Sequence, residues 1–245
     1  NQMHEKAMEA FHKAMELGDA DAVYFVAAQY LSYEESEDDG GNASILLKTY
    51  NQCGPASTSL LQSQQASALP STTEQREMPS LTNDLQRHGY TLLHFAANQH
   101  NHGSALHHLA LLHNQNGNDK EFRDLLHKAA ATGNPDSLFL QGHCYYSDDQ
   151  NFPAALENFL AAAENGHVDA MVSAGAMLHQ GVISNGSVLI ERDQQRAFEL
   201  YQQAGELGSV EGWRNVISCY ATGEGVPQCL ETAKYIANTM LKDDK

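Results

Sequence analysis

The chain has 245 residues, of which 42% are hydrophobic, and its formal net charge at pH 7 is −17. This apolar content supports a buried core, and no stretch approaches the roughly 18 consecutive apolar residues that a membrane-spanning helix requires. The strong negative charge argues against non-specific binding to nucleic acid, which needs a positive surface. We therefore expect a chain without a membrane span and without a nucleic-acid partner.

A set of residue types recurs along the chain at constant spacing. The turn positions are Gly18, Asn101, Gly133, Gly166 and Gly208. Four residues before each turn stand Ala14, Ala97, Ala129, Ala162 and Ala204. Three residues earlier stand the bulkier Phe11, His94, Leu126, Phe159 and Tyr201, and small residues follow each turn at Ala22, Ala105, Ser137, Ala170 and Gly212. Periodicity of this kind indicates stacked helix pairs and favours binding over catalysis.

Each repeat is predicted to consist of helix A, a turn and helix B. In chain order, the helix B and helix A segments alternate over 3–17, 20–33, 84–99, 104–115, 119–132, 135–147, 152–165, 168–180, 194–207, 210–222 and 227–242. Two of the repeats are 32 and 33 residues long, close to the tetratricopeptide period of about 34. The sequence therefore predicts an all-α, right-handed superhelical solenoid of about five helix–turn–helix repeats.

The domain organisation follows from two interruptions of this period. Residues 1–33 form the first repeat helices and begin inside a helix B, so we expect them to continue a longer upstream array. Residues 34–82 are a polar, low-complexity insertion that is too poor in apolar residues to order itself. Residues 83–245 are expected to be continuous repeats, with a shorter insertion from Val182 to Arg192.

Two stretches resemble a particular repeat family. The first runs from Gly208 to Ala233 and contains Gly-Glu-Gly-Val at 223–226, and the second runs from Asn165 to Ala197 and contains Gly181-Val182. Both resemble the Sel-one-like repeat (SLR), a relative of the tetratricopeptide. The resemblance implies an adaptor or scaffold that assembles protein complexes. An ankyrin repeat is the alternative, suggested by Gly89-Tyr-Thr-Leu-Leu-His-Phe-Ala-Ala97, but no second copy appears about 33 residues away.

Candidate binding residues come from the helix A positions that face the groove in tetratricopeptides. Here they mix aromatic, histidine and small residues, which suits a groove for a peptide or a helix. We predict that the partner is bound by Tyr24, His107, Phe139, His143, Tyr146, His179 and Arg214. The alternative is that several of these side chains pack against the next repeat. Acids recur in the first turn of helix A, at Asp21, Asp136, Asp169 and Glu211; they suit a basic peptide, although interaction with the helix N-terminus explains them more simply.

Catalytic and metal sites are not predicted. The histidine cluster His88, His94, His100, His102, His107, His108 and His113 has no cysteine or acid completing a tetrahedral set, so we expect packed or solvated side chains. The four cysteines lack CxxC spacing and are expected to be buried thiols, with a Cys219–Cys229 bridge as the alternative in an oxidising compartment. No phosphate-binding loop, nucleophile elbow or paired-carboxylate motif is present. We predict no catalytic residue, no metal site and no cofactor.

The sequence thus favours a non-catalytic scaffold or adaptor that holds a partner polypeptide in its groove and helps to assemble a multiprotein complex. The alternative is a structural subunit embedded in a large complex, for example a mitochondrial one. An enzyme of the bacterial cysteine-rich type would need paired cysteines in each repeat, which this chain lacks. We expect a soluble protein of the cytoplasm or mitochondrion, with the lumen of the endoplasmic reticulum as the alternative.

Overall fold

The computed structural model describes residues 2–32, 83–184 and 186–240. Within these ranges the chain forms eleven helices and one two-stranded hairpin. The helices are α1 (Gln2–Glu16), α2 (Ala20–Leu31), α3 (Asp84–His100), α4 (Gly103–Gln115), α5 (Asp119–Ala131), α6 (Pro135–Ser147), α7 (Phe152–Glu164), α8 (Val168–Gln180), α9 (Gln194–Glu206), α10 (Val210–Thr222) and α11 (Leu230–Met240). The strands are β1 (Val182–Ser184) and β2 (Ser187–Ile190).

The helices pair as the sequence predicted. Helix α2 packs on α3, α4 on α5, α6 on α7, α8 on α9 and α10 on α11, while α1 packs on α2. The predicted all-α class with about five helix pairs is confirmed. The chain divides into two compact units, residues 1–132 and 133–245. The predicted insertion at 34–82 lies outside the described residues.

In the first unit, α2 and α3 pack closely although residues 32–83 separate them in the sequence. Val26 and Tyr30 of α2 and Leu93 of α3 are fully buried in the shared core. Gly89 of α3 permits the approach, because a Cβ at this position would lie 2.9 Å from the carbonyl oxygen of Ala27. The insertion therefore interrupts the sequence of a helix pair but not its packing.

A buried polar group joins the first three helices. Nδ1 of His12 donates to the carbonyl oxygen of Met8 at 2.8 Å, since a carbonyl can only accept. Nε2 of His12 lies 2.8 Å from the hydroxyl oxygen of Tyr30, and the two groups share a hydrogen bond. The ring of His88 on α3 lies 5.8 Å from that of Tyr30. The core of this unit thus contains two histidine rings packed beside the buried ring of Tyr30.

In the second unit, glycines of the A helices face aromatic rings of the B helices. A Cβ at Gly142 would lie 2.7 Å from the ring of Phe159, and a Cβ at Gly175 would lie 2.7 Å from the ring of Tyr201. Both rings are almost fully buried. An added methyl group would overlap the ring and force the helices apart. The bulky residues that recur at positions 159 and 201 therefore require a residue without a side chain on the facing A helix.

The short insertion between α8 and α9 forms an antiparallel β-hairpin, which the sequence did not predict. Its pairs in register are Val182–Ile190, Ile183–Val188 and Ser184–Ser187, with an irregularity between the first two pairs. Ile190 is buried in the core of the second unit, whereas Ile183 and Val188 are exposed. The hairpin is thus fixed to the unit by one face and presents the other face to solvent.

One turn geometry connects each B helix to the next A helix. Its turn residue has a positive φ: 86° at Gly18, 48° at Asn101, 82° at Gly133, 86° at Gly166 and 97° at Gly208. The side chain of the next residue caps the A helix by accepting the N–H three residues later, as for Asp19, His102, Asn134, His167 and Ser209. A Cβ at the turn glycines would meet no atom within 4 Å. Glycine is therefore favoured there because it adopts the left-handed conformation readily, and not because a larger side chain would clash.

We expect Gly166→Ala to lower the free energy of unfolding by about 1–2 kcal/mol, because alanine is strained at positive φ. Gly166→Asn should cost less, since asparagine tolerates this conformation and occupies the equivalent turn at position 101. Urea unfolding of the two variants, compared with the wild-type chain, measures the difference. Equal unfolding midpoints for the wild-type and alanine proteins would contradict this account of the turn.

Burial, and to a lesser extent the nearby His12, lowers the pKa of His88 from 6.5 to about 4. The unfolded chain takes up a proton at this side chain near pH 6.5, whereas the folded chain resists it until about pH 4. Stability from this group is therefore present above pH 6.5 and is lost as the pH falls toward 4. Between pH 7 and pH 5 it should lower the free energy of unfolding by about 2 kcal/mol.

The contribution of His88 can be isolated with the variant His88→Leu. Its free energy of unfolding should fall by about 2 kcal/mol less than that of the wild-type chain between pH 7 and pH 5, because leucine takes up no proton. His88→Gln is the second variant and should show the same reduced pH dependence, because glutamine takes up no proton either. Parallel pH curves for His88→Leu and the wild type would contradict the assignment.

Candidate functional site

All seven predicted partner-binding residues lie on A helices, but they are divided between the two units. Tyr24 on α2 and His107 on α4 belong to the first unit. The second unit holds the other five on α6, α8 and α10: Phe139, His143, Tyr146, His179 and Arg214. A site built from several of the predicted residues can therefore be sought in the second unit.

Tyr24 stacks on the histidine that caps the next A helix. The ring of Tyr24 lies 5.0 Å from that of His102. Nδ1 of His102 accepts the N–H of Ala105 at 3.1 Å, and Nε2 donates to the carboxylate of Asp21 at 2.8 Å. Because Tyr24 and Asp21 lie on α2 and His102 begins α4, this group links two consecutive repeats.

The same arrangement recurs in the second unit. Phe139 stacks on the ring of His167 at 4.2 Å, and Nδ1 of His167 accepts the N–H of Ala170 at 3.2 Å. Nε2 of His167 lies 3.6 Å from the carboxylate of Asp136, on the same helix as Phe139. Phe139 therefore packs between repeats, as Tyr24 does in the first unit, and binding of a partner by these two aromatic residues stays a prediction.

A groove between α6 and α8 contains a cavity of about 240 Å³. Its lining consists of His143 and Tyr146 of α6, Phe159 of α7, Ser173, Ala176, Met177 and Gln180 of α8, and then Gly181 and Val182. We call it the α6–α8 groove. Pockets for drug-sized ligands span about 300–1,000 Å³, so this smaller cavity suits a side chain of a bound polypeptide.

Tyr146 stands at the edge of this groove and is 45% exposed. The rings of Tyr146 and Phe152 pack edge to face, with 5.3 Å between their centroids. This contact orients the tyrosine while leaving much of it open to solvent. A held, half-exposed aromatic ring beside an apolar cavity is typical of the residues that anchor protein interfaces.

His143 gives the groove a polar group without a charge. Its ring meets those of Phe139 and Phe159 edge to face, at centroid distances of 4.5 Å and 5.2 Å. Burial, and to a lesser extent the nearby His167, lowers the pKa of His143. The imidazole is therefore neutral at pH 7 and can donate or accept a hydrogen bond there.

Among the seven predicted residues, His179 is the one on α8, and it forms a hydrogen bond with the loop after α10. Its Nε2 donates to a carboxylate oxygen of Glu224 at 3.2 Å. The same carboxylate accepts hydrogen bonds from Thr222 at 3.0 Å and from Gln194 at 3.2 Å. The hydrogen bond from Thr222, followed by that from His179, lowers the pKa of Glu224. This part of the predicted site thus fixes the Gly-Glu-Gly-Val loop to the preceding repeat.

Arg214 is more than half exposed on α10, and its guanidinium lies 3.6 Å from the carboxylate of Glu211 one turn earlier. It is one of four Lys and Arg residues between 133 and 240, against thirteen Asp and Glu residues. The second unit therefore presents a negative field to an approaching partner.

Two other cavities lie away from the predicted residues. One of about 520 Å³ in the first unit is lined by α3, α4 and α5, and its residues include Tyr90, His94 and His113. The other, of about 540 Å³, lies between α7 and β2 in the second unit. Neither is lined by any of the seven predicted residues.

Two findings concern metal ligands and cysteines in the described residues. In the ranges 2–32, 83–184 and 186–240, no three His, Cys, Asp or Glu side chains are grouped as metal ligands. Cys144, Cys219 and Cys229 are free thiols, so no bridge joins the last two; Cys53 lies outside the described residues. Burial raises the pKa of Cys219, whereas a hydrogen bond from Thr232 lowers the pKa of Cys229.

Several residues of the site were not predicted. Met177, Gln180 and Val182 complete the α6–α8 groove, but nothing in the repeat pattern distinguishes them. The capping role of His102 and His167 was also missed. A signal for it was present, because both histidines directly follow a turn residue, where Asp19, Asn134 and Ser209 stand in the other repeats.

The comparisons with known proteins concern the fold. No protein-family profile and no curated protein matches the sequence. Among solved structures, a protective antigen of uropathogenic Escherichia coli that displays an SLR fold is 19% identical, with a TM-score of 0.59. The match covers 97% of this chain but only 49% of the antigen, so the chain spans about half its length.

A Sel1 repeat protein from Oxalobacter formigenes is 17% identical, with a TM-score of 0.62, over 98% of this chain and 82% of that protein. No helix in the described part of the chain is long and apolar enough to cross a membrane. The helix pairs, their turns and these similarities agree with the resemblance carried by residues 165–197 and 208–233. The chain has the Sel-one-like repeat fold, an all-α solenoid fold.

Proposed function

We propose that the chain is a non-catalytic protein-interaction scaffold, which binds a partner polypeptide in the α6–α8 groove and helps to assemble a multiprotein complex. Proteins of the SLR fold are generally interaction scaffolds and are typically non-catalytic. The observation that carries the proposal is the half-exposed ring of Tyr146 beside a cavity of about 240 Å³.

The groove would take one apolar side chain of the partner. Phe159 and Met177 line the cavity with apolar surface, and Tyr146 would cover the inserted side chain. Burying a side chain of that type contributes about 1.5–3 kcal/mol. His143 and Gln180 can form hydrogen bonds with the partner backbone, so the groove combines an apolar anchor with polar groups at its rim.

Charge determines which partners reach this groove. The excess of acids in the second unit attracts a basic polypeptide and repels an acidic one. Such attraction mainly raises the rate of association and falls with increasing salt. The partner is therefore a polypeptide with an apolar anchor residue and a net positive charge around it.

Exposed apolar residues on α11 favour a second candidate, a structural subunit held within a large complex. Leu230, Tyr235 and Met240 are each more than half exposed. A permanent partner would bury them, as obligate interfaces are more apolar than transient ones. A free scaffold stays monomeric and soluble after purification, whereas an embedded subunit aggregates alone, so sedimentation of the purified chain separates the two candidates.

The groove can be tested with a photo-crosslinking amino acid placed at position 146. We expect it to cross-link one polypeptide reproducibly in cells, and Tyr146→Ala should then weaken binding of that partner at least about tenfold. The loss follows from removal of the aromatic cover of the cavity. Binding of the identified partner is measured by titration with the purified chain.

Tyr235→Ala is the matched control, since Tyr235 is the more exposed tyrosine at 67% and lies on α11, away from the groove. Both variants should unfold within about 1 kcal/mol of the wild type, as expected for exposed positions. If Tyr235→Ala weakens partner binding as much as Tyr146→Ala does, the α6–α8 groove is not the binding site.

A further inference from the structure

The β-hairpin begins where the α6–α8 groove ends. Val182 lines the cavity of the groove and is also the first residue of β1. Strand β2 packs beside α7, where the cavity of about 540 Å³ lies. Within the described residues the sheet has two strands only, so the edge of β1 away from β2 has no strand partner.

The register shows which backbone groups of β1 are directed to that edge. Ser184 and Ser187 are the last pair of the hairpin and have two residues between them in the sequence, and in hairpins with so short a connection the closing pair exchanges hydrogen bonds. Bonded and non-bonded pairs alternate in an antiparallel ladder, so Ile183 and Val188 form a non-bonded pair. The N–H and C=O of Ile183 therefore point away from β2, where another strand could pair with them.

The side chains of the same pair are apolar and open to solvent. Ile183 is 72% exposed and Val188 is 59% exposed. The sequence from Val182 to Ile190 contains no charged residue, although charged side chains are a common protection of strand edges against pairing. An added strand would place a side chain beside Ile183 on the same face, and an apolar side chain there would cover Ile183.

Charge complementarity specifies what flanks the added strand. Between residues 133 and 240 the sequence has thirteen acidic and four basic residues, and the hairpin among them is uncharged. A second copy of this chain would carry the same negative charge and would be repelled, whereas a segment flanked by Lys or Arg would be attracted.

We propose that the bound polypeptide is an extended segment that pairs with the free edge of β1 as a third strand. Its residues alternate apolar, β-branched side chains with small polar ones, and Lys or Arg residues flank them. One apolar side chain enters the α6–α8 groove and another packs on Ile183. This inference rests on the proposed function, because the same groove supplies the anchor.

The test uses a displayed library of short random peptides selected on the immobilised chain. The enriched peptides should show period-two apolar residues with basic flanks. Ile183→Pro removes the outward N–H of β1 and should weaken binding of the enriched peptide about tenfold or more. Val188→Pro, the matched control, removes the outward N–H of β2 and should leave binding within about twofold, with both variants retaining the helical signal and melting temperature.

Backbone chemistry provides a second measurement. An enriched peptide with alternate amide nitrogens methylated should lose binding to the wild-type chain, because it can no longer donate to β1. Equal binding of Ile183→Pro and Val188→Pro, or apolar spacing of three and four residues in the enriched peptides, would overturn strand addition. The proposal would also be overturned if the purified chain dimerises and Ile183→Pro abolishes the dimer, since a second copy of the chain would then occupy the edge of β1.

The proposed function and the strand inference fail in different ways. If the enriched peptides lose binding to Tyr146→Ala but still bind Ile183→Pro, the groove is supported as the binding site and strand addition is contradicted. If they lose binding to Ile183→Pro but still bind Tyr146→Ala, strand addition is supported and the anchor in the groove is contradicted. Failure to enrich any peptide over the empty surface would contradict both.

Discussion

A left-handed turn residue followed by a capping side chain connects each B helix to the next A helix, and the stacking of repeats depends on this connection. After α7, the N–H of Gly166 bonds to the carbonyl of Ala163 at 2.9 Å, and the N–H of His167 bonds to that of Ala162 at 3.0 Å. The ring of His167 then accepts an N–H from the first turn of α8. The end of one helix and the start of the next are thus satisfied within one short segment.

In two turns this segment also joins neighbouring repeats, because a histidine can use both ring nitrogens. Nδ1 of His102 accepts from its own helix while Nε2 donates to Asp21 of the preceding A helix, so a single neutral tautomer satisfies both contacts. His167 lies in the same position relative to Asp136. These acids therefore have specific partners in addition to any favourable interaction with a helix N-terminus. For Asp21 and Asp136 the local explanation was incomplete, because the histidine partner belongs to the next repeat.

The helices could be predicted because close packing imposes a period on the sequence: Gly142 is small since Phe159 is large, and the turn glycines require a positive φ. The site is less predictable for the same physical reason. Phe139 and Tyr146 share one face of α6, yet one stacks on His167 and the other is half exposed. That difference depends on the capping residue of another helix, which helical periodicity does not encode. Within the described residues the hairpin occurs in one repeat, so the helical parts of the other repeats could not predict it.

Many periodic residues are therefore occupied by packing, and a partner would be recognised by exposed groove residues such as Tyr146 together with residues outside the pattern. Phe159 and Tyr201 fill the space between helices, whereas Gln180 and Val182 stand where the repeat is interrupted. Since each junction between repeats satisfies its own backbone groups, an insertion between helix A and helix B leaves the stacking intact, as the close pairing of α2 with α3 shows. Such insertions can carry specificity at little cost to the fold. A chain with every periodic residue but without the hairpin would keep the helix pairs and lose the strand edge.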